Sequence, residues 1–159
     1  MVEDAGKAGQ ETHEGGCLCG AVRFRTTGAP AKAVACHCRG CQLRTGSALG
    51  VSAYFPESQV EILSGELRPY TFTTESGRDF TNHFCAICGG QVMWRLEALP
   101  GLLGLAAGMF DPPSFWFAVE REVFARSRAS FLSLSVADSH DTSPGYAPCR
   151  AEDPARMGG

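Results

Sequence analysis

Seven of the eight cysteines fall into three short clusters, and their spacing constrains the fold more than any other feature of the chain. The clusters are Cys17-Leu18-Cys19, Cys36-His37-Cys38-Arg39-Gly40-Cys41 and Cys85-Ala86-Ile87-Cys88. Disulfide bridges between cysteines one or two residues apart are strained, which argues against a disulfide framework. Clustered thiols are more typical of metal sites in a reducing compartment. We therefore predict that these cysteines bind zinc.

The clusters divide into one set of four thiols and one set of three. The set of four is Cys17, Cys19, Cys85 and Cys88, and the set of three is Cys36, Cys38 and Cys41. Four protein ligands close a tetrahedral zinc site and stabilise a fold, whereas three leave one position for water or substrate. The spacing therefore predicts two zinc ions per chain, one structural and one catalytic.

His37 lies between two thiols of the set of three. A role as the fourth ligand of that set is the less favoured alternative, because its neighbours on both sides are expected ligands and its side chain is expected to point the other way. We interpret it as a group that positions the site or transfers a proton, and thus as a candidate catalytic residue. An alternative partition closes both sites, with Cys149 or His83 completing the set of three. In that case the protein is a non-catalytic zinc-binding scaffold module.

Composition and charge limit the classes of partner. The chain has 159 residues, 44% of them hydrophobic and 19% charged, which is typical of one globular domain. Its net charge of −3 argues against binding to nucleic acid. We find no apolar run long enough to span a membrane, and Met1–Gly16 lacks the apolar core of a signal peptide. We therefore expect a cytoplasmic protein with a small-molecule substrate.

Alternating apolar residues predict a mainly antiparallel, all-β domain with short irregular or helical connections. A clear example is the predicted hairpin in which residues 70–74 and 80–84 flank a turn at 75–78. The pattern of residues 119–128 does not distinguish a strand from a short helix. We expect a flexible leader at 1–15, the zinc-binding β domain at 16–137, and an extended or disordered tail at 138–159.

Several of these segments resemble the glutathione-dependent formaldehyde-activating enzyme family, which includes relatives similar to centromere protein V. The matching segments are Gly15–Phe24, Cys36–Cys41, Thr45-Gly46, Gly65–Leu67, Phe84–Gly90 and Gly108–Pro112. The resemblance runs from about residue 14 to residue 130. It implies a zinc-binding antiparallel β fold, with a structural zinc on the set of four thiols and a second zinc on the set of three.

The resemblance also implies an activity. The family's namesake reaction joins glutathione and formaldehyde into S-hydroxymethylglutathione, so the chain resembles a zinc-dependent carbon–sulfur lyase that acts on glutathione and an aldehyde. The sequence departs from the family at 128–131, where Arg128-Ala129-Ser130-Phe131 replaces an arginine followed shortly by tryptophan. An alternative is therefore a zinc-dependent lyase or dehydratase that acts on another carbonyl compound in a biosynthetic pathway.

Overall fold

The protein is built almost entirely from short β-strands, as seen in a computed structural model that describes residues 10–152. The strands are β1 (Thr12–Gly16), β2 (Arg23–Thr27), β3 (Lys32–Cys36), β4 (Gly50–Pro56), β5 (Val60–Ser64), β6 (Leu67–Thr73), β7 (Asp79–Cys85), β8 (Gln91–Leu96), β9 (Leu102–Ala106), β10 (Arg121–Val123) and β11 (Asp138–Ser139). The helix α1 spans Arg39–Thr45, and single 3₁₀ turns span Glu57–Gln59, Ala107–Met109 and Ala125–Ser127. The predicted all-β class is confirmed.

Two sheets organise these strands. A three-stranded antiparallel sheet has the order β1-β2-β5, and a mixed eight-stranded sheet has the order β11-β10-β3-β4-β9-β8-β7-β6. Neighbours in the larger sheet are antiparallel except at one edge, where β10 runs parallel to both β3 and β11. The first strand thus begins at Thr12 in the smaller sheet, and the chain returns at Asp138 to the edge of the larger one.

Alternation along the central strands gives the eight-stranded sheet two different faces. On one face, Ala53 and Phe55 of β4 pair with Leu105 and Leu103 of β9, and this apolar layer packs with Phe24 of the smaller sheet. The other face carries a separate buried cluster of Tyr54, Phe80 and Trp94. The first face forms the main core, and the second face lines a cavity.

Local sequence determines most of these elements. The predicted hairpin is present as β6 and β7, joined by a turn at Gly77, whose φ of 76° favours glycine. Residues 119–128, which the pattern left unassigned, contain the short strand β10 and a 3₁₀ turn. Among residues 10–152, no helix has the length and apolar character needed to cross a bilayer.

Gly104 of β9 lies directly beneath the Trp94 indole, and we expect a Gly104→Ala variant to be less stable. A Cβ at this position would overlap the indole ring, and Trp94 is only 1% exposed. Overpacking of this kind costs about 1–3 kcal/mol. Urea unfolding measures the change, and Gly108→Ala is the control because its Cβ would lie 4.0 Å from its nearest neighbour, the Phe115 ring. Equal unfolding free energies for the two variants would contradict the expectation.

Candidate metal centres and active site

The set of four thiols comes together between the two sheets. Cys17 and Cys19 lie in the turn between β1 and β2, whereas Cys85 is the last residue of β7 and Cys88 lies in the turn between β7 and β8. All four sulfur atoms lie within 4.8 Å of one another, with 3.5 Å between Cys17 and Cys19 and 3.7 Å between Cys19 and Cys85. Sulfurs around a tetrahedral zinc are about 3.8 Å apart, given a Zn–S bond of about 2.3 Å. The arrangement therefore fits a four-coordinate zinc.

Backbone groups hold this quartet of cysteines in place. The amide of Val22 donates to Cys17 Sγ at 3.3 Å, and the amide of Ile87 donates to Cys85 Sγ at 3.4 Å. Gly20 and Gly89 take φ values of 77° and 73°, which lets each turn fold back on its own cysteines. Burial raises the pKa of the Cys17 thiol, but hydrogen bonds, first of all from the amide of Val22, outweigh it and lower that pKa. The two turns thus have matching geometry although they lie far apart in the sequence.

The set of three thiols, the trio, lies where β3 ends and α1 begins. Cys38 is the N-cap residue of α1, and its sulfur accepts a hydrogen bond from the amide of Cys41 at 3.3 Å. The sulfurs of Cys36, Cys38 and Cys41 lie within 4.8 Å of one another. Within residues 10–152, no fourth histidine, cysteine, aspartate or glutamate joins this group. The donor set fits a zinc ion with three protein ligands.

The trio opens onto a cavity of about 620 Å³, whereas the quartet does not line it. The cavity lies on the second face of the eight-stranded sheet, where Val34 and Cys36 of β3 lie beside Ser52 and Tyr54 of β4. Its volume falls within the range of small-molecule sites. Its basic lining residues are Lys32, Arg44, Arg78 and Arg121, and its acidic ones are Glu75 and Asp79. The lining therefore offers charged side chains of both signs, with more basic than acidic ones.

Arg44 supplies positive charge directly at the trio. Its guanidinium stacks over the Trp94 ring at 4.1 Å, donates to Gln91 Oε1 at 2.9 Å, and approaches Cys41 Sγ at 3.6 Å. Hydrogen bonds from Cys36 and Cys38 lower the pKa of Cys41 despite its burial, and the charge of Arg44 lowers it further. Hydrogen bonds with its two partners, together with burial, raise the pKa of Cys36. Arg44 thus favours the charged thiolate form of Cys41.

The comparison with known families agrees with this geometry. The sequence model of the family described as glutathione-dependent formaldehyde-activating enzyme matches residues 12–127. The chain belongs to this family. The match includes both groups of cysteines and most of the residues that line the cavity. It confirms the resemblance seen in the sequence, and the family is one of enzymes by its description.

A solved structure shows the same fold. The chain is similar to a Rhodobacter sphaeroides protein whose crystal structure comes from structural genomics, with a TM-score of 0.51 and 23% sequence identity. The alignment covers 66% of this chain and 96% of that one. At this level of identity the likeness concerns the fold alone.

In this family member, His37 faces away from the cavity and belongs to a buried hydrogen-bond network. Its Nε2 lies 2.9 Å from Glu122 Oε2, and both side chains are almost completely buried. Glu122 also accepts from Arg128 Nη2 at 2.5 Å and from Ser139 Oγ at 2.8 Å. Burial disfavours the charged carboxylate, but hydrogen bonds from Arg128, Ser139 and His37 outweigh it and lower the pKa of Glu122. The network connects the loop of the trio with β10 and β11.

Removal of the Glu122 carboxylate is expected to be strongly destabilising. Glu122→Ala leaves the buried His37 ring and the Arg128 guanidinium without their partner, and breaking a buried charge pair in this way costs about 3–5 kcal/mol. Because Arg128 is one third exposed, we expect the lower end of this range. Chemical denaturation measures the loss. The matched control is the exposed Glu120→Ala on the same segment, for which a change within about 0.5 kcal/mol is expected. Similar losses in both variants would contradict this role of Glu122.

The two residues that could complete the set of three in the alternative partition lie elsewhere. Cys149 Sγ donates to the backbone oxygen of Glu75 at 3.1 Å and does not join the trio. His83 also lies outside both cysteine groups. Neither residue that the alternative partition requires is therefore in position to close the second site.

Sequence reasoning missed the buried tyrosine at the cavity wall. Tyr54 is 8% exposed, and its hydroxyl accepts a hydrogen bond from Trp94 Nε1 at 3.4 Å. Burial raises the pKa of Tyr54, so its hydroxyl stays protonated at neutral pH. The alternation of β4 indicates that Ser52 and Tyr54 share a face, but the position of the trio on the neighbouring strand is needed to show that this face lines a site.

Proposed function

We propose that the protein is a zinc-dependent carbon–sulfur lyase that joins and separates a thiol, first of all glutathione, and an aldehyde, first of all formaldehyde. The observation that carries the proposal is the different setting of the two cysteine groups. The three sulfurs of the trio line a cavity, whereas the four sulfurs of the quartet lie outside it. Three ligands beside a cavity are the arrangement of a catalytic zinc site, and four are that of a structural one.

The residues divide accordingly. The quartet of Cys17, Cys19, Cys85 and Cys88 would hold a structural zinc, and the trio of Cys36, Cys38 and Cys41 would hold a second. When bound at the trio, zinc supplies Lewis-acid chemistry and lowers the pKa of a thiol that coordinates it. His37, which faces the Glu122 network, is proposed to position the loop of the trio rather than to contact the substrate.

The proposed reaction needs no oxidant or reductant. The thiol sulfur adds to the carbonyl carbon, one carbon–sulfur bond forms, and the thiol proton ends on the former carbonyl oxygen; the reverse reaction breaks the same bond. The chain's own part is to bind and orient the two reactants. The neutral hydroxyl of Tyr54 and that of Ser52 line the cavity as hydrogen-bond donors for an oxygen, and Arg44 balances negative charge at Cys41.

A second candidate is a lyase or dehydratase that acts on a larger carbonyl compound at the same residues. The observation that favours it is that residues 143–147 line the same cavity but lie beyond residues 12–127, which match the family. A non-catalytic scaffold module is less well supported, because within the described residues the trio lacks a fourth protein ligand.

The proposal predicts both metal content and activity. Purified protein is expected to contain two zinc ions per chain, by elemental analysis, and to accelerate exchange between ¹³C-labelled formaldehyde and S-hydroxymethylglutathione, by NMR exchange spectroscopy. Protein treated with a strong chelator until only the quartet retains its metal is the control, and it should lose the acceleration while remaining folded. Fully loaded protein that leaves the exchange at its spontaneous rate, yet turns over a carbonyl compound without thiol, would favour the second candidate.

A further inference from the structure

The segment of residues 138–152, here named the C-terminal strap, crosses the cavity from one edge of the eight-stranded sheet to the other. At its start, Asp138–Ser139 pairs with β10 as strand β11. Near its end, the amide of Cys149 donates to the backbone oxygen of Glu75 at 2.8 Å, and Arg150 Nη2 donates to the backbone oxygen of Thr73 at 2.7 Å. These acceptors belong to the β6–β7 hairpin at the opposite edge of the sheet.

Between these two anchors the strap forms one wall of the cavity. Residues 143–147 line it, and they lie on the same cavity as the sulfurs of the trio. The largest side chain in this part of the wall is Tyr146. The strap lies beyond residue 127, where the match to the family ends, so the family match does not cover this wall.

Several contacts fix the Tyr146 ring. It packs edge-on against Phe124, with 5.0 Å between ring centroids and 80° between planes. Its hydroxyl donates to Glu152 Oε1, which also accepts from Arg126 Nη2 at 2.7 Å. The Arg126 guanidinium lies 6.0 Å from the Tyr146 ring centre and 5.8 Å from that of Phe124. Two aromatic rings and an ion pair therefore hold the side chain in one orientation.

The Tyr146 hydroxyl is engaged on the strap and does not titrate near neutral pH. Burial and the hydrogen bond with Glu152 raise the pKa of Tyr146 to about 12. A phenol that is neutral and already bonded is a poor proton carrier. The contribution of this residue to the site is therefore the shape and the volume of its ring.

We infer that the strap determines which substrates the trio can accept, with Tyr146 as its specificity-determining residue. On this side of the cavity, the Tyr146 ring limits the size of the organic group attached to a thiol or thiol adduct at the trio. Large flat groups are therefore disfavoured. This inference rests on the proposed function. A fixed wall discriminates by steric exclusion, and a difference of a few carbon atoms in a pocket of this kind changes affinity by about tenfold or more.

Two thiols that differ in one side chain, a hydrogen or a large flat indole group, test the inference. The dipeptides cysteinylglycine and cysteinyltryptophan carry the same thiol and the same charges, and calorimetry measures their dissociation constants for the zinc-loaded protein. The Tyr146→Ala variant is expected to raise the affinity for cysteinyltryptophan relative to cysteinylglycine by about tenfold. Tyr70→Ala is the control, since Tyr70 is 62% exposed on β6 and does not line the cavity. Its ratio should equal that of the wild type.

The outcomes separate the two proposals. An unchanged ratio in Tyr146→Ala, with both dipeptides still bound, overturns the role of the strap and leaves the proposed function standing. Equal weakening of both dipeptides also overturns it, because that is the effect of a general loss of structure. If the wild type binds neither dipeptide, the strap does not select among thiols and the inference is overturned, whereas the exchange of formaldehyde with S-hydroxymethylglutathione still tests the proposed function separately. If Tyr146→Ala does not fold, Tyr146→Leu, which keeps an apolar group against Phe124, is measured against the same criterion.

Discussion

A Cys85→Ser variant is expected to be unfolded or to melt far below the wild type, whereas a Cys38→Ser variant should stay folded and lose its activity. Cys85 is 1% exposed. The quartet to which it belongs joins parts of the chain that are distant in sequence, since Cys19 and Cys85 are 66 residues apart. Binding of structural zinc contributes about 10–16 kcal/mol in small zinc domains. A whole protein is typically stable by only about 5–15 kcal/mol. Loss of zinc binding at the quartet would therefore remove an amount of free energy comparable to the whole stability of the fold.

The trio has no comparable effect on the chain as a whole. Its three cysteines lie within six residues, so a metal ion there constrains only the loop between β3 and α1. Cys38→Ser removes one of the proposed ligands and leaves the hydrogen bonds of both sheets intact. A serine oxygen can still cap α1. We therefore expect little change in melting temperature and loss of the exchange activity.

Thermal melts of matched variants measure this difference. Cys17→Ser is expected to behave like Cys85→Ser, because both belong to the quartet. Cys149→Ser is the control, since this exposed thiol lies outside both groups. Equal and severe losses of melting temperature in quartet and trio variants would show that both groups stabilise the fold. That result would support the scaffold alternative.

The grouping of the cysteines was the part of the site most accessible from sequence. Spacing alone brings thiols within one or two residues of each other into contact, and the family resemblance indicates which pairs combine. The structure brings together both expected groups. The antiparallel strands were equally accessible where alternation was regular, as in the hairpin of β6 and β7. Both features depend on short-range order, which a sequence carries directly.

The features that escaped prediction depend on long-range contacts. Glu122 stands in a polar run and has the pattern of a surface residue, but parallel pairing of β10 with β3 buries it against His37. The strap has the composition of an extended tail, with no apolar periodicity. It is nevertheless anchored by backbone hydrogen bonds and by Tyr146, neither of which leaves a periodic trace in the sequence.

Glutathione is expected to bind the zinc-loaded protein with millimolar or better affinity, and this binding should require the trio. Three thiolates outweigh the charge of one divalent ion by about one unit, so the site is a weaker Lewis acid than one with three neutral histidines. Such a donor set is better suited to the exchange of a soft thiol than to the formation of hydroxide. Lys32 and Arg78 line the cavity without an ion-pair partner among residues 10–152 and are suited to the carboxylates of glutathione.

Calorimetry with two ligands and two proteins separates these contributions. Millimolar affinity corresponds to about 4 kcal/mol, and Cys38→Ser is expected to lose most of it. S-methylglutathione keeps both carboxylates but has no free thiol, so it should bind the wild type at least tenfold more weakly than glutathione. If both compounds bind equally, the thiol does not contribute and the affinity comes from Lys32 and Arg78 alone. If the wild type does not bind glutathione but turns over a carbonyl compound without thiol, the substrate is a different one. In that case the trio would act on the carbonyl group itself.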